Sequence, residues 1–264
     1  SVAIDGDIAV IGVPFDNDNG SGSGSVYVFT RSGSIWSEQQ KLTASDGEGL
    51  DEFGHSVAID GNTVVVGAHN DGDRWDSGGL DSGSAYVFTR SGTNTRGWWS
   101  EQAKLTASDA ATRDNFGTSV AIDGDTAVIG AYRSGAAYVF TRSGTSWSEQ
   151  QKLTASDVAS RDRFGFSVAI DGDTVVVGAE EDDDNGKNSG STYIFTRDGA
   201  DWTQEAKLTA SGGENSDRFG HSVALDGDTV VVGTFNDDND NTDDTGSAYV
   251  FTRSGTSWSE QQKL

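Results

Sequence analysis

Short apolar runs alternate along the chain with stretches rich in Gly, Ser and Asp, and none has the 3–4-residue spacing of a helix face. The run TVVVGA at 174–179 is apolar at consecutive positions, which predicts an inner strand covered on both faces. Before it stands SVAI at 167–170, separated only by Asp171-Gly172-Asp173, a tight-turn signal between two strands. After it come STYIFTRDG from Ser191, β-branched and aromatic, and DWTQEAKLT from Asp201, mostly polar between a Trp and a Leu. The last of these suits an exposed edge strand, whose charges discourage pairing with another chain.

This four-strand pattern recurs. Copies of the hairpin begin at Ser1, Ser56, Ser119, Ser167 and Ser222, and each is followed by a YVF or YIF run and by a W-S/T run ending in KL. The spacing lies in the range of propeller blades. The expected fold class is all-β, a five-bladed β-propeller of four-stranded antiparallel blades, with blades near 1–45, 46–108, 109–156, 157–211 and 212–264 in one domain. That domain either closes on five blades or is a window on a longer array. The repeated Trp36, Trp99, Trp147, Trp202 and Trp258 read as packing between blades, because a ligand platform rarely recurs in every copy.

Charge changes the picture of partners. The 264 residues carry a formal net charge of −24, which repels nucleic acid and anionic membrane surfaces. It suits molar salt, where self-repulsion is screened within about 3 Å, so a halophilic source is an expectation; an ordinary acidic secreted protein is the alternative. No apolar run reaches the ~20 residues of a membrane span. Cysteine is absent, which removes disulfides and thiolate metal sites. Neither a Ser–His–Asp set nor a phosphate-binding Gly loop is present, and no catalytic residue is assigned.

The repeat resembles the FG-GAP family of integrin α-subunit propellers and secreted prokaryotic proteins. The resemblance rests on Phe53-Gly54, Phe116-Gly117, Phe164-Gly165 and Phe219-Gly220, with Gly67-Ala68, Gly130-Ala131, Gly178-Ala179 and Gly233-Thr234 following in phase. Only Pro14 keeps the proline of GAP, as in the prokaryotic branch. The resemblance implies an extracellular or cell-surface module for binding or adhesion, with a protein or a glycan as ligand and no enzymatic activity. A structural repeat segment of a surface or filament protein is the alternative, followed by a five-bladed glycosidase. The calcium loop of integrin-like blades is not carried over. Here the first-to-second-strand connection has shrunk to Asp-Gly-Asp or Asp-Gly-Asn, too short to supply the 6–8 oxygens Ca²⁺ takes.

Candidate chemistry therefore falls on what differs between copies. Acidic residues crowd the connection between second and third strands, and Asp16, Asp18, Asp182, Asp184, Asp238 and Asp240 are candidate Ca²⁺ ligands, with solvated turn residues as the alternative reading. The third blade lacks this loop, leaving Tyr132 and Arg133 beside a notch. Trp75, in the longest loop, is a candidate platform for a sugar or peptide. His55 and His221 share one slot, FGxS, where other copies have Thr118 and Phe166; without visible partner ligands they read as variable residues at a channel mouth. The Asp two residues before FG (Asp51, Asp114, Asp162, Asp217) is expected to cap a turn. Asn19 heads an Asn-Gly-Ser sequon.

Overall fold

The computed structural model describes residues 1–72, 82–92, 97–157, 159, 161–237 and 245–264. Among these residues, twenty strands form five antiparallel sheets. The first holds β1 (Val2–Asp5), β2 (Ile8–Val13), β3 (Ser25–Ser32) and β4 (Ile35–Leu42); the second β5 (Ser56–Asp60), β6 (Thr63–Ala68), β7 (Ser84–Arg90) and β8 (Trp99–Leu105). The third holds β9 (Phe116–Asp123), β10 (Thr126–Ala131), β11 (Ala136–Ser143) and β12 (Ser146–Leu153). β13 (Phe164–Asp171), β14 (Thr174–Ala179), β15 (Ser191–Asp198) and β16 (Asp201–Leu208) form the fourth. β17 (Phe219–Asp226), β18 (Thr229–Thr234), β19 (Ser247–Ser254) and β20 (Ser257–Lys263) form the fifth. In each sheet the strands lie in sequence order, so every blade is an up-and-down meander. The fold is a five-bladed β-propeller of four-stranded blades. By internal contacts the chain divides into two units, Ser1–Ile129 with Phe140–Glu149, and Gly130–Val139 with Gln150–Leu264.

The apolar pattern explains the layering. β6, β10 and β14 are buried at every position, as their continuous apolar runs require. The Asp-Gly turn is a two-residue connection: Asp171 pairs with Thr174, and Gly172 takes φ +56° at the first central position, where a type II′ hairpin needs it.

The two motif glycines serve one contact. In the first unit a Cβ on Gly67 would lie 2.0 Å from the carbonyl oxygen of Gly117, and in the second a Cβ on Gly178 would lie 2.1 Å from that of Gly220. The FG carbonyls of Gly117 and Gly220 thus press on the GA glycine of the blade before them. Ser56 and Ser167 donate their hydroxyls to the same carbonyls, at 2.8 and 2.7 Å. The FG phenylalanines Phe53, Phe116, Phe164 and Phe219 are fully buried, and Phe164 meets Tyr193 and Phe195 edge-on.

The repeated tryptophans divide. Trp99 and Trp202 are buried, whereas Trp36 is 38% exposed, so packing between blades holds for some copies and not for the first. Each of the five lies beneath the guanidinium of its own blade's Thr-Arg pair, at 5.1–5.6 Å. Those arginines also bind the turn they face, Arg31 on Asp7, Arg142 on Asp125, Arg197 on Asp173 and Arg253 on Asp228. The polar residues of the outer strands are not merely solvated. Glu101 accepts bonds from the Ser45 amide and hydroxyl, both 2.9 Å, and Glu260 does the same for Ser211 at 3.0 and 2.8 Å.

Candidate functional site

A bulge builds the mouth of the fourth and fifth blades. In the fourth, Phe164 pairs with Ala179 and Ser167 with Gly178, so Gly165 and Phe166 stand outside the ladder; the fifth repeats this around His221. Bulges re-aim side chains, and here they turn the residue after FG toward the first residue after GA. Just before FG the chain passes through a left-handed residue, Glu52, Asn115, Arg163 or Arg218, with φ of 57–58°. The Asp before it caps this turn. Asp51 accepts the Glu48 amide, Asp114 that of Ala111, Asp162 that of Ala159 and Asp217 that of Glu214. Burial pushes the Asp51 carboxyl up to about 6 and raises that of Asp162.

In the second unit these positions form a row of rings. Tyr132 meets Phe166 at 5.8 Å, Phe166 meets His221 at 5.1 Å, and His221 meets Phe235 at 4.9 Å, with Phe235 58% exposed. Beside the row opens a cavity of about 580 Å³ lined by Tyr132, Arg133, Ser134, Arg161, Arg163 and Glu181. Tyr132 and Arg133, in the four-residue connection between β10 and β11, lie in its wall. Two guanidiniums lie over the Tyr132 ring, Arg163 at 5.5 Å and Arg133 at 5.8 Å. Arg163 also donates to Glu180 at 2.7 Å and pairs with Glu181 at 3.1 Å. Among the described residues, Arg133 and Arg161 form no ion pair. Glu180 is fully buried and is bound by His221 Nδ1 at 2.7 Å. Burial alone would raise its carboxyl, but the bonds from His221 and Arg163 outweigh it and hold the group below its ordinary value.

His55, in the first unit, has a different setting. Its ring lies 4.0 Å from that of His69, and Glu52 faces both. Burial pushes the His55 imidazole down. The expectation that the two histidines lack partners is thus corrected at both. Their partners, Glu52, His69 and Glu180, sit in acidic or variable loops that look like solvating sequence until the fold brings each to its histidine.

The acidic loops hold an internal cation. Asp16 accepts from Ser25 at 2.6 Å and pairs with Lys41 at 2.8 Å, and Asp18 binds the same ammonium. Asp182, 3% exposed, accepts from Tyr193 at 2.7 Å and from Lys207 at 3.0 Å; Lys207 also reaches Asp157 at 2.8 Å and Asp184. Asp71 with Tyr86 and Lys104, and Asp237 with Tyr249 and Lys263, repeat the arrangement. The ammonium stands where two carboxylates converge, the place a metal would take. The Lys41 bond holds the Asp16 carboxyl well below the usual range, with Ser25 adding to it. Trp75, Asp238 and Asp240 lie outside the described residues.

A model of the FG-GAP repeat matches residues 1–29, 36–88, 99–140, 147–195 and 202–251, five segments that recur in phase with the blades. The chain belongs to the FG-GAP repeat family. No curated protein matches it. Among solved structures it is similar to a Bacteroides fragilis protein provisionally described as a 6-phosphogluconolactonase, with a TM-score of 0.64 and 14% identity over all of this chain and 69% of that one. At that identity the likeness is one of fold.

Proposed function

We propose that this FG-GAP propeller is a non-catalytic binding and adhesion module of the cell surface or extracellular space, and that its ligand is an acidic glycan. The observation that carries the reading is the cavity at Tyr132, where three arginines meet a row of aromatic rings in a chain otherwise strongly negative. Sugar rings stack on aromatic faces, and a guanidinium takes a carboxylate through two parallel hydrogen bonds. Arg163 is already committed to Glu180 and Glu181, so Arg133 and Arg161 are the groups assigned to the ligand. Tyr132 is the platform, with Phe166, His221 and Phe235 extending it.

The acidic loops are structural in this proposal. What supports that role is Lys41 between Asp16 and Asp18, and Lys207 among Asp157, Asp182 and Asp184. Calcium is then not needed for binding.

Calorimetric titration with an oligogalacturonate and with a neutral cello-oligosaccharide tests the proposal. The acidic sugar is expected to bind and the neutral one not, with Tyr132→Ala and Arg133→Ala each weakening binding roughly tenfold. Equal binding of the two sugars, or an Arg133→Ala variant that binds like the parent, would overturn it. Binding of an acidic peptide but of neither sugar would reassign the module to protein adhesion.

A further inference from the structure

Three mouth positions recur in the described blades: the left-handed residue before FG, the residue after FG, and the residue after GA. In the third to fifth blades they read Asn115, Thr118, Tyr132; Arg163, Phe166, Glu180; and Arg218, His221, Phe235. In the second they read Glu52, His55 and His69. Of these four blades, the second alone carries a metal-ligating side chain at all three positions. Glu52 Oε2 lies 3.9 Å from His55 Nδ1 and 3.8 Å from His69 Nε2. Among the described residues, this is the one group of three such side chains whose ligand atoms all lie within 4.8 Å of one another.

We propose that Glu52, His55 and His69 form a binding site for a late first-row divalent transition ion, with Zn²⁺ its natural probe. Two imidazoles and one carboxylate are the donor set such ions take, and they suit a hard ion that wants 6–8 oxygens poorly. Bonds of about 2.0–2.1 Å to a tetrahedral ion set its donors about 3.4 Å apart. The two Glu52–imidazole separations exceed that by roughly half an ångström. A supporting shell is in place. Asn70 donates to Glu52 Oε1 at 3.0 Å, which turns Oε2 toward the two rings, and Asn115 donates to the His69 carbonyl at 3.2 Å, fixing the loop that carries the ring. The His55 side chain is 37% exposed, so the fourth position of the ion faces solvent and can take water or a partner's carboxylate. The site rests on the first unit alone and is independent of the ligand proposed for Tyr132.

The test uses the full chain, Zn²⁺ and Co²⁺ alone, and variants that borrow the third blade's residues, His55→Thr and His69→Tyr. The parent is expected to bind one equivalent of Zn²⁺, to melt higher with it, and to give a visible Co²⁺ absorption band with nitrogen ligation, none of it displaced by excess Ca²⁺. Either variant is expected to lose the band and the thermal shift, and Asn70→Ala to weaken binding roughly 10–100-fold. In a chain this acidic, zinc could also collect on surface carboxylates. Parent and both variants taking Zn²⁺ alike, or calcium displacing it, would show that and sink the site. So would a parent that gives no nitrogen-ligated cobalt band, whether or not a variant folds.

Discussion

His55 and His221 occupy one slot of the repeat, each turned out at the mouth of its blade beside a glutamate. At His221 the carboxylate is Glu180, fully buried, bound by the imidazole and by Arg163 at 2.7 Å each, with Arg218 at 3.8 Å. At His55 the carboxylate is Glu52, partly exposed, facing two imidazoles and no guanidinium among the described ion pairs. The backbone is shared down to the left-handed residue before FG, but that residue is Arg in one case and Glu in the other. With a cation before FG the mouth is a neutralised ion cluster; with an anion there and a second imidazole after GA it is a donor set. The repeat thus fixes where side chains meet and leaves their chemistry to three positions.

The sharpest way to break this comparison is to remove each glutamate's charge. Glu180→Gln replaces the buried carboxylate with an amide and leaves Arg163 and Arg218 to Glu181 among the described ion pairs, with Arg163 about a third exposed. It should destabilise the protein by about 3 kcal/mol, the lower end for breaking a buried pair. Glu52→Gln strands no full charge and should cost less than about 1 kcal/mol. Urea denaturation of the two variants measures the gap; equal costs would mean that the two mouths are energetically alike. The sign with pH follows from the depressed carboxyl of Glu180. Its contribution is complete above the ordinary carboxylate range and disappears as pH falls through the lowered value, so the Glu180→Gln penalty should vanish in acid.

The same contrast can be sharpened one layer out, at the acidic loops. Lys207 supplies the cation for Asp157, Asp182 and Asp184. Lys207→Met should cost about 2 kcal/mol, less than a fully buried pair because Asp157 and Asp184 reach solvent. It also leaves three carboxylates together, so millimolar Ca²⁺ should restore much of the lost melting temperature. Calcium that stabilises the parent as much as the variant would show that these loops bind metal despite their lysine.

How much of this was legible in sequence depends on whether a feature repeats. The FG and GA glycines were legible because every blade must bring a carbonyl against a Cα, and the same demand writes the same residues each time. The tight Asp-Gly hairpin and the buried second strand were legible for the same reason. The Tyr–Asp–Lys cluster left a readable trace that was missed. Asp16, Asp71, Asp182 and Asp237 all stand three residues after the GA glycine's partner, the third blade has Ser134 there, and a Lys closes every outer strand. The mouth was only half legible. Glu52 and His69 are separated in the chain by a whole hairpin, and Glu52 sits in an acidic loop where one more carboxylate carries no signal. The left-handed turn at Glu52 and the hairpin that follows bring the two together, and that turn has no side-chain signature of its own.

The smallest effect expected concerns Asp51, the cap beside Glu52. It is buried, and it accepts the Glu48 amide. Burial raises its carboxyl to about 6, so between roughly pH 4 and 6 the folded chain holds a proton that the unfolded chain has released. The charge therefore costs stability as pH rises through 6, the opposite sign to Glu180. Asp51→Asn keeps an acceptor for the Glu48 amide and removes the charge. At pH 7.5 the variant should be more stable than the parent by on the order of 1 kcal/mol, the share of the shift that survives solvent screening. That advantage should close as pH falls toward 4, where the parent's Asp51 is protonated. Melting curves of both proteins across this range read the difference directly, and a constant gap would mean that the side chain's shape, not its charge, sets the cost of the cap.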